Sequence, residues 1–459
     1  MGTLSEKLVM ETRNENIKQR SIVFGMGMSG LSVARFLRAR GHQFVLADTR
    51  DLPPNREALV ADFPQQKHYF GNTDSIDIND YDELIVSPGL ALSEPLVQAA
   101  KSAGLKITGD IELFYQHAQA PIIAVTGSNG KSSVVTLITE ILTADGYRVY
   151  CGGNIGVPAL ELLQREQPDY YVLEVSSFQL ETTRDFAPEI AVILNISPDH
   201  LDRYASMEDY VAAKLKIFAK AANCIVPRNG EFLDYVNAAS ETIRFGTSGS
   251  NDDSYILRAE HNQQFLVTKE QRKIPVEDIC LRGGHNLDNA LAALAVTDLV
   301  GVSVAAQTRA LGKFRGLEHR TELVGEWDSV RWINDSKGTN VGATIAALNG
   351  CIEDSRGILI AGGVGKGADF SALKHPVETK TKAVVLFGQD AEAIAAALGS
   401  NAAVYLVQDL SAAVEKAKSI SSPGDTVLFS PACASFDMFS NYQQRGNAFK
   451  NAVLASCSK

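Results

Sequence analysis

Nowhere in this chain of 459 residues do apolar side chains run to the ~18 consecutive positions of a membrane span. The opening stretch, MGTLSEKLVMETRNENIKQR, has no apolar segment of the kind a secretory signal needs. A soluble, cytoplasmic protein with a polar N-terminal tail is therefore expected. Paired cysteines are missing too. The six thiols, Cys151, Cys224, Cys280, Cys351, Cys433 and Cys457, include no C-x-x-C pair. That spacing signals neither a zinc site nor a dithiol redox motif, and scattered thiols read as small buried hydrophobes in a reducing compartment. Excess positive charge is absent as well. A net charge of −11 argues against nucleic acid or an anionic membrane as partner, but not against a small anion held by local donors. There is no low-complexity linker and no short internal repeat.

What is present is an ordinary globular composition, 45% hydrophobic and 21% charged, on a length that suggests about three domains. Apolar runs that read as strands alternate with helical patterns almost throughout. This predicts α/β layers with parallel sheets. The alternation restarts twice, giving expected domains at 1–112, 113–316 and 317–459. The first opens on Ser21–Gly25, with a helix near Leu31–Arg40 and strands at Phe44–Asp48 and Glu83–Ser87. The second opens on Pro121–Thr126, with a helix from Lys131, strands at Tyr171–Val175 and Ile190–Asn195, and helices at Ser206–Ala221 and Asn286–Val300. The third has strands at Val330–Asn334, Gly357–Ala361, Ala383–Phe387, Ala403–Val407 and Thr426–Ser430.

The most specific local signal is Thr126-Gly-Ser-Asn-Gly-Lys-Ser132, which follows an apolar strand and opens a helix. Glycines there let backbone amides approach phosphate oxygens, and the helix N-terminus adds positive potential. Lys131 would reach the β- and γ-phosphates and Ser132 would offer its hydroxyl to Mg²⁺. The loop departs from the general G-x-x-x-x-G-K pattern, because position 125 is Val125. A second turn, Gly25-Met-Gly-Met-Ser-Gly30 followed by Asp48, reads either as a dinucleotide fingerprint or as close packing of strand on helix. Glu174, ending an apolar strand, suits a Mg²⁺-bound carboxylate or a solvated acid. His200, in Asn195-Ile-Ser-Pro-Asp-His200, suits a metal or phosphate contact or a hydrogen-bonded loop histidine, and Lys214 reads as a helix-surface lysine. Around the third domain's strands lie Leu317-Glu-His-Arg320, Asn334–Asn340, Gly362–Gly367 and Ser430–Asp437, at the ends where parallel sheets bind ligands. These residues by themselves leave open a nicotinamide-dependent oxidoreductase and a non-catalytic nucleotide-binding module.

Taken in order, TGSNGKS, EVSSFQLE, NISPDHLDRY, HNLDNALAA, GLEHR, NDSKGTN and SPACASFD resemble the Mur ligases across nearly the whole chain. The resemblance implies three α/β domains: a Rossmann-like N-terminal domain, a P-loop-type central ATPase domain and a Rossmann-like C-terminal domain. It implies an ATP-dependent acid–amino-acid ligase of peptidoglycan synthesis, working through an acyl phosphate on UDP-N-acetylmuramoyl-L-alanine and D-glutamate. The branch is read from the acceptor-binding loops and from the absence of Asp-Asn-Pro-Arg. It would place the uridine diphosphate at Ser29, Asp48, Thr49, Arg50, Ser87, Pro88 and Gly89, which revises the dinucleotide reading, with Asn154 and His200 at the muramoyl-alanine end. ATP would lie on Gly127, Ser128, Asn129, Gly130, Lys131, Ser132 and Ser133, with Asn286, Asn289, Arg320 and Asp335. D-Glutamate would meet Thr339, Lys366, Ser435 and Phe436. Two Mg²⁺ are implied, one with Ser132 and Glu174, the other with His200 and a carbamylated Lys214. Catalytic work would fall to Lys131, Glu174, His200, Lys214 and His319, with His319 or a nearby acid accepting the amine proton. A monomer is expected. Val364 departs from the acid that many members carry in the Gly362–Gly367 loop.

Overall fold

The fold is that of a computed structural model, which describes residues 20–54, 56–199, 203–228, 240–247, 254–281, 283–352, 356–399 and 403–457. The chain divides into two compact units. The first comprises the chain to Ala124, Tyr150–Glu189 and Lys216–Ala221; the second comprises Val125–Val149, Ile190–Leu215 and the chain from Ala222 on.

In the first unit β1 (Arg20–Phe24), β2 (Gln43–Asp48), β3 (His68–Phe70), β4 (Glu83–Val86) and β5 (Lys106–Thr108) form one sheet in the order β3-β2-β1-β4-β5. All its pairs are parallel. Continuous apolar runs such as Ile22–Phe24 and Leu84–Val86 are buried because helices cover a parallel sheet. Leu96 and Val97 of the helix Pro95–Ser102 share a core with Ile22, Phe24 and Val86. The same unit carries the order β6-β8-β7, from β6 (Ile122–Thr126), β7 (Val149–Gly153) and β8 (Tyr170–Glu174). The helix Ser177–Glu181 after β8 starts with a reciprocal cap between Ser176 and Gln179, a pairing written in the sequence as Ser-x-x-Gln.

The second unit contains the order β11-β10-β9, with β9 (Ile190–Ile193), β10 (Asn223–Pro227) and β11 (Glu241–Phe245). A small antiparallel sheet, β12 (Ile256–Glu260), β13 (Gln263–Val267) and β14 (Lys273–Pro275), occupies the segment whose sequence is polar with short β-like runs. The third sheet orders β15 (Glu322–Trp327), β16 (Val330–Asn334), β20 (Thr426–Phe429), β17 (Gly357–Gly362), β18 (Thr381–Phe387) and β19 (Val404–Leu406) as β15-β16-β20-β17-β18-β19. It is parallel except for β15, which pairs antiparallel with β16. β15 was not foreseen, since Glu-Leu-Val-Gly-Glu-Trp is a half-exposed edge strand with no continuous apolar run. The helix expected over 206–221 is shorter: Met207–Leu215, then a tighter turn Lys216–Phe218. Among the described residues no helix is long and apolar enough to cross a membrane.

Candidate active site

β6 ends at Thr126 and the next helix starts at Lys131, so four residues must turn the chain. Two glycines make this possible. Gly127 has φ +147° and Gly130 φ +86°, and a Cβ on Gly130 would lie 2.5 Å from Asn289 Oδ1. The loop is then gripped from the segment that follows β9. Asn195 accepts the Asn129 N–H at 2.8 Å through Oδ1 and donates through Nδ2 to the Asn129 carbonyl at 3.0 Å. The Ser128 hydroxyl donates to the Ser197 carbonyl (3.0 Å), accepts the Ser197 N–H (3.0 Å) and meets the Tyr210 hydroxyl at 2.9 Å. Lys131 Nζ reaches the carbonyls of Gly127 (2.8 Å) and Ser128 (2.9 Å). Lys214 also donates to Gly127 O, at 2.9 Å, and is 2% exposed. It is thus a buried cation against the loop and not the helix-surface lysine that its sequence context suggests. Two lysines converge on the Gly127 carbonyl.

A cleft of about 1720 Å³ opens beside this loop within the second unit. Its lining includes Asn129, Gly130, Ser133, Asn286, Asn289, Arg320 and Asp335, all among the residues expected around ATP. Arg320 donates to the Ser132 hydroxyl at 2.6 Å, so a guanidinium faces the first turn of the phosphate-loop helix. Asp335 is buried in the cleft wall, accepting from Ser430 Oγ (2.6 Å) and the Thr321 N–H (3.1 Å). Burial pushes its carboxyl up to about 7, against the pull of those donors and of Arg320. An unfolded aspartate titrates near 3.9, so between about 4 and 7 the folded protein keeps a proton that the unfolded chain has released. Stability contributed by the protonated form is complete below about 4 and is lost as pH rises through 7. Thermal unfolding of Asp335→Asn beside the parent is expected to show the parent losing on the order of a few kcal/mol relative to the variant from pH 4.5 to 7.5. Parallel pH profiles would contradict this.

The loops after β16, β17 and β20 bring the remaining third-domain residues together. Asn340 caps the helix Val341–Cys351 and contacts Asn129 and Asp199. Lys366 forms an ion pair with Asp199 at 3.9 Å. Val364 and Ala434 exchange both backbone hydrogen bonds (3.0 and 2.8 Å), which ties the Lys366 loop to the Ser435 loop. The backbone supplies the tie at Val364, so the missing acid does not loosen it. Ser435 is buried, Thr339 half-buried and Phe436 exposed. His319, expected with a nearby acid as an alternative to accept the amine proton, is enclosed. It is 4% exposed, its Nδ1 accepts from Asn334 Nδ2 at 2.9 Å, and burial lowers its pKa. It does not line the cleft.

In the first unit Asp48 closes the glycine turn after β1. Its carboxylate accepts the N–H of Met26 (2.6 Å) and of Arg50 (2.9 Å) and receives both Nε and Nη2 of Arg50 at 2.8 Å. Burial opposes its ionisation, but the Arg50 and Met26 hydrogen bonds hold the carboxyl below the usual aspartate range. A Cβ on Gly30 would sit 1.9 Å from the Gly25 carbonyl, so the turn needs glycine there. Ser87 donates to that same carbonyl at 2.5 Å, and Pro88 and Gly89 follow it. Ser29 bonds the buried carboxyl of Asp110, whose burial raises its pKa. Thr49 and Arg50 are exposed. Asn154 donates to Glu174 Oε1 at 2.8 Å, and Glu174 is buried. His200 lies outside the described residues. Among the described residues no group of three His, Cys, Asp or Glu is arranged to hold a metal.

Sequence reasoning missed Asn195, Ser197, Asp199 and Asn340 as site residues, together with His285, which lines the cleft. The signal for Asn195 was its position just past an apolar strand, and for Asn340 its place before a helical run.

Known families and proteins match as follows. The family described as "Mur ligase MurD-like, N-terminal domain" matches residues 19–109, "Mur ligase middle domain" 125–297 and "Mur ligase, glutamate ligase domain" 319–433. A UDP-N-acetylmuramoylalanine–D-glutamate ligase of Nitrosococcus oceani is 44% identical over 98% of this chain and 100% of its own. One of Pseudomonas syringae pv. syringae is 47% identical over 94% and 97%. Among solved structures, UDP-N-acetylmuramate–alanine ligase MurC of Thermotoga maritima superposes with a TM-score of 0.59 at 20% identity, covering 95% of this chain and 99% of that one. MurF ligase of the same organism, in complex with ADP, gives 0.60 at 14% identity, covering 97% and 96%. These structures share the three-domain fold, with N-terminal, central and C-terminal domains.

Proposed function

The chain belongs to the Mur ligase family, and we propose that it joins D-glutamate to UDP-N-acetylmuramoyl-L-alanine with cleavage of ATP to ADP and phosphate, as a cytoplasmic monomer. The acceptor and donor come from the names of relatives matching nearly end to end. The observation that carries ATP chemistry is the phosphate loop at the cleft with Arg320 set against Ser132. An oxidoreductase would leave that arrangement without a purpose.

The carboxylate of the muramoyl-alanine attacks the γ-phosphorus of ATP, ADP leaves, and an acyl phosphate forms. The amine of D-glutamate then attacks the acyl carbon. The tetrahedral intermediate expels phosphate, the proton lost by the amine leaves with that phosphate, and the amide forms. Both reactants of the first step are anions, so the protein's work is positioning and charge neutralisation. Lys131 leaves its loop carbonyls for phosphate oxygens, and the guanidinium of Arg320 meets the charge that develops as the phosphoryl group moves. Asn286 and Asn289 lie on the adenine side, and Asp335 meets the nucleotide from the third domain. Ser29, Asp48, Thr49, Arg50, Ser87, Pro88 and Gly89 take the uridine diphosphate, with Asn154 and His200 toward the muramoyl-alanine. Lys366, Thr339, Ser435 and Phe436 take D-glutamate. With its ring enclosed, His319 is assigned a structural part and not the amine proton.

Magnesium asks for only one or two protein oxygens beside phosphates, so a site without a three-acid cluster fits it. The buried Ser132 hydroxyl at the helix start is such a donor, and the Glu174 carboxylate is another by its chemistry. When bound, the metal neutralises phosphate charge. Lys214, with His200, is proposed to serve metal binding once carbamylated. Its burial at the phosphate loop supports a role that a surface lysine could not have. Lys214→Ala is expected to lose activity and to regain part of it with added formate or acetate. Full activity in the unsupplemented variant would remove the carbamate.

Phosphate release from ATP and Mg²⁺, measured with UDP-N-acetylmuramoyl-L-alanine and a panel of amino acids, tests the whole reading. Release requiring both the nucleotide sugar and D-glutamate is expected. Release with a different amino acid would keep the ligase and change the acceptor, and no release with any would overturn it.

A further inference from the structure

Asn340 is 6% exposed, and its one amide group makes contacts in three directions. Oδ1 accepts the Ala343 N–H at 2.8 Å, which caps the helix Val341–Cys351. The same oxygen takes Asn129 Nδ2 at 3.4 Å, while Nδ2 of Asn340 returns a bond to Asn129 Oδ1 at 3.2 Å. Nδ2 also donates to Asp199 Oδ2 at 3.1 Å. Asp199 in turn pairs with Lys366. Helix capping needs only the first of these bonds, and serine or aspartate would serve it equally. The paired-amide contact to Asn129 is made to the one phosphate-loop residue whose backbone is already held on both its N–H and carbonyl by Asn195. A rigid loop is therefore joined, through one side chain, to the ion pair that holds Lys366.

Resting on the ligase reading above, we propose that Asn340 is a positioning residue that couples nucleotide binding to amino-acid binding. With the phosphate loop seated on its nucleotide, Asn129 fixes the Asn340 amide. That amide fixes Asp199, and Asp199 presents Lys366 to the incoming amino-acid carboxylate. Thr339, directly before Asn340, is set by the same cap. Coupling of this kind is reciprocal: the amino acid must tighten the nucleotide by the factor that the nucleotide tightens the amino acid. Two hydrogen-bonded links and an ion pair in a row establish adjacency only, so energetic coupling has to be measured.

Asn340→Ser keeps the cap but cannot span to Asn129 and Asp199. Asn340→Asp keeps the cap, loses the donor and sets a carboxylate beside Asp199. The measurement is the Kd of a non-hydrolysable ATP analogue in the presence of UDP-N-acetylmuramoyl-L-alanine, with and without D-glutamate. A companion assay gives kcat and the KM for D-glutamate from phosphate release. In the parent protein D-glutamate is expected to tighten the analogue by about 5–150-fold, the usual span of such couplings. In both variants this factor is expected to fall toward one. KM for D-glutamate should rise about tenfold or more, by the same coupling, while kcat falls less. Thermal unfolding of Asn340→Ser should stay close to the parent, because the cap survives. A parent-like coupling factor in either folded variant would overturn the proposal. A parent enzyme that releases no phosphate with D-glutamate would instead overturn the ligase reading, so the two failures are distinguishable.

Discussion

Lys131→Ala is expected to cut phosphate release a thousandfold or more, a loss of about 4 kcal/mol or greater in transition-state stabilisation. The ammonium lies 2.8 and 2.9 Å from the Gly127 and Ser128 carbonyls, at the point where the loop turns into its helix. Phosphoryl transfer offers a protein little covalent chemistry, so a cation that neutralises the phosphates carries a large share of the effect. Alanine is a good helix former at the first helical position, so the fold should survive. Lys131→Met, which keeps the aliphatic stem, should be as inactive as Lys131→Ala if charge is what matters. Phosphate release under saturating substrates, read beside thermal unfolding, decides it. Activity within tenfold of the parent in a normally folded variant would remove the phosphate-loop assignment.

Arg320→Ala is expected to lower kcat by a hundred- to a thousandfold, about 3–4 kcal/mol. The guanidinium comes from the stretch before β15 and reaches the Ser132 hydroxyl at 2.6 Å. It therefore stands ready for charge that moves from the γ-phosphate toward the leaving ADP. If its contact strengthens only in the transition state, kcat and kcat/KM must fall together. Arg320→Lys should recover little, because a point charge on a flexible stem does not reproduce a planar fork. A variant with parent kcat and only a raised KM for ATP would make Arg320 a ground-state binder.

Much of the site was legible because several of its parts are local. Thr126–Ser132 needs only chain neighbours to form: an apolar strand before it, glycines at the two positions with positive φ, and a helix after it. Gly25–Gly30 is legible for the same reason, and its third glycine proves indispensable because the Gly25 carbonyl occupies the place of a Cβ. The burial of Lys214 against the phosphate loop was not legible. Four residues before it Tyr210 looks like any helix aromatic, yet its hydroxyl touches Ser128 and its ring lies 4.7 Å from the Lys214 ammonium. The enclosure of His319 was not legible either, because its neighbours Asn334, Tyr442 and Gly446 arrive from other parts of the sequence. β15 was invisible because an edge strand buries little.

The sequence by itself determined the α/β class, most strand and helix positions, the phosphate loop and the family, since periodicity, turn glycines and ordered motifs are properties of neighbours in the chain. Only the tertiary structure decided which polar groups meet across it. Asn129 with Asn340 are separated by 211 residues, Arg320 with Ser132 by 188, and each pairing exists only because packed sheets bring strand-end loops together. It also decided the state of Asp335, because a carboxyl rises to about 7 through enclosure, and enclosure is a property of packing that no local pattern carries.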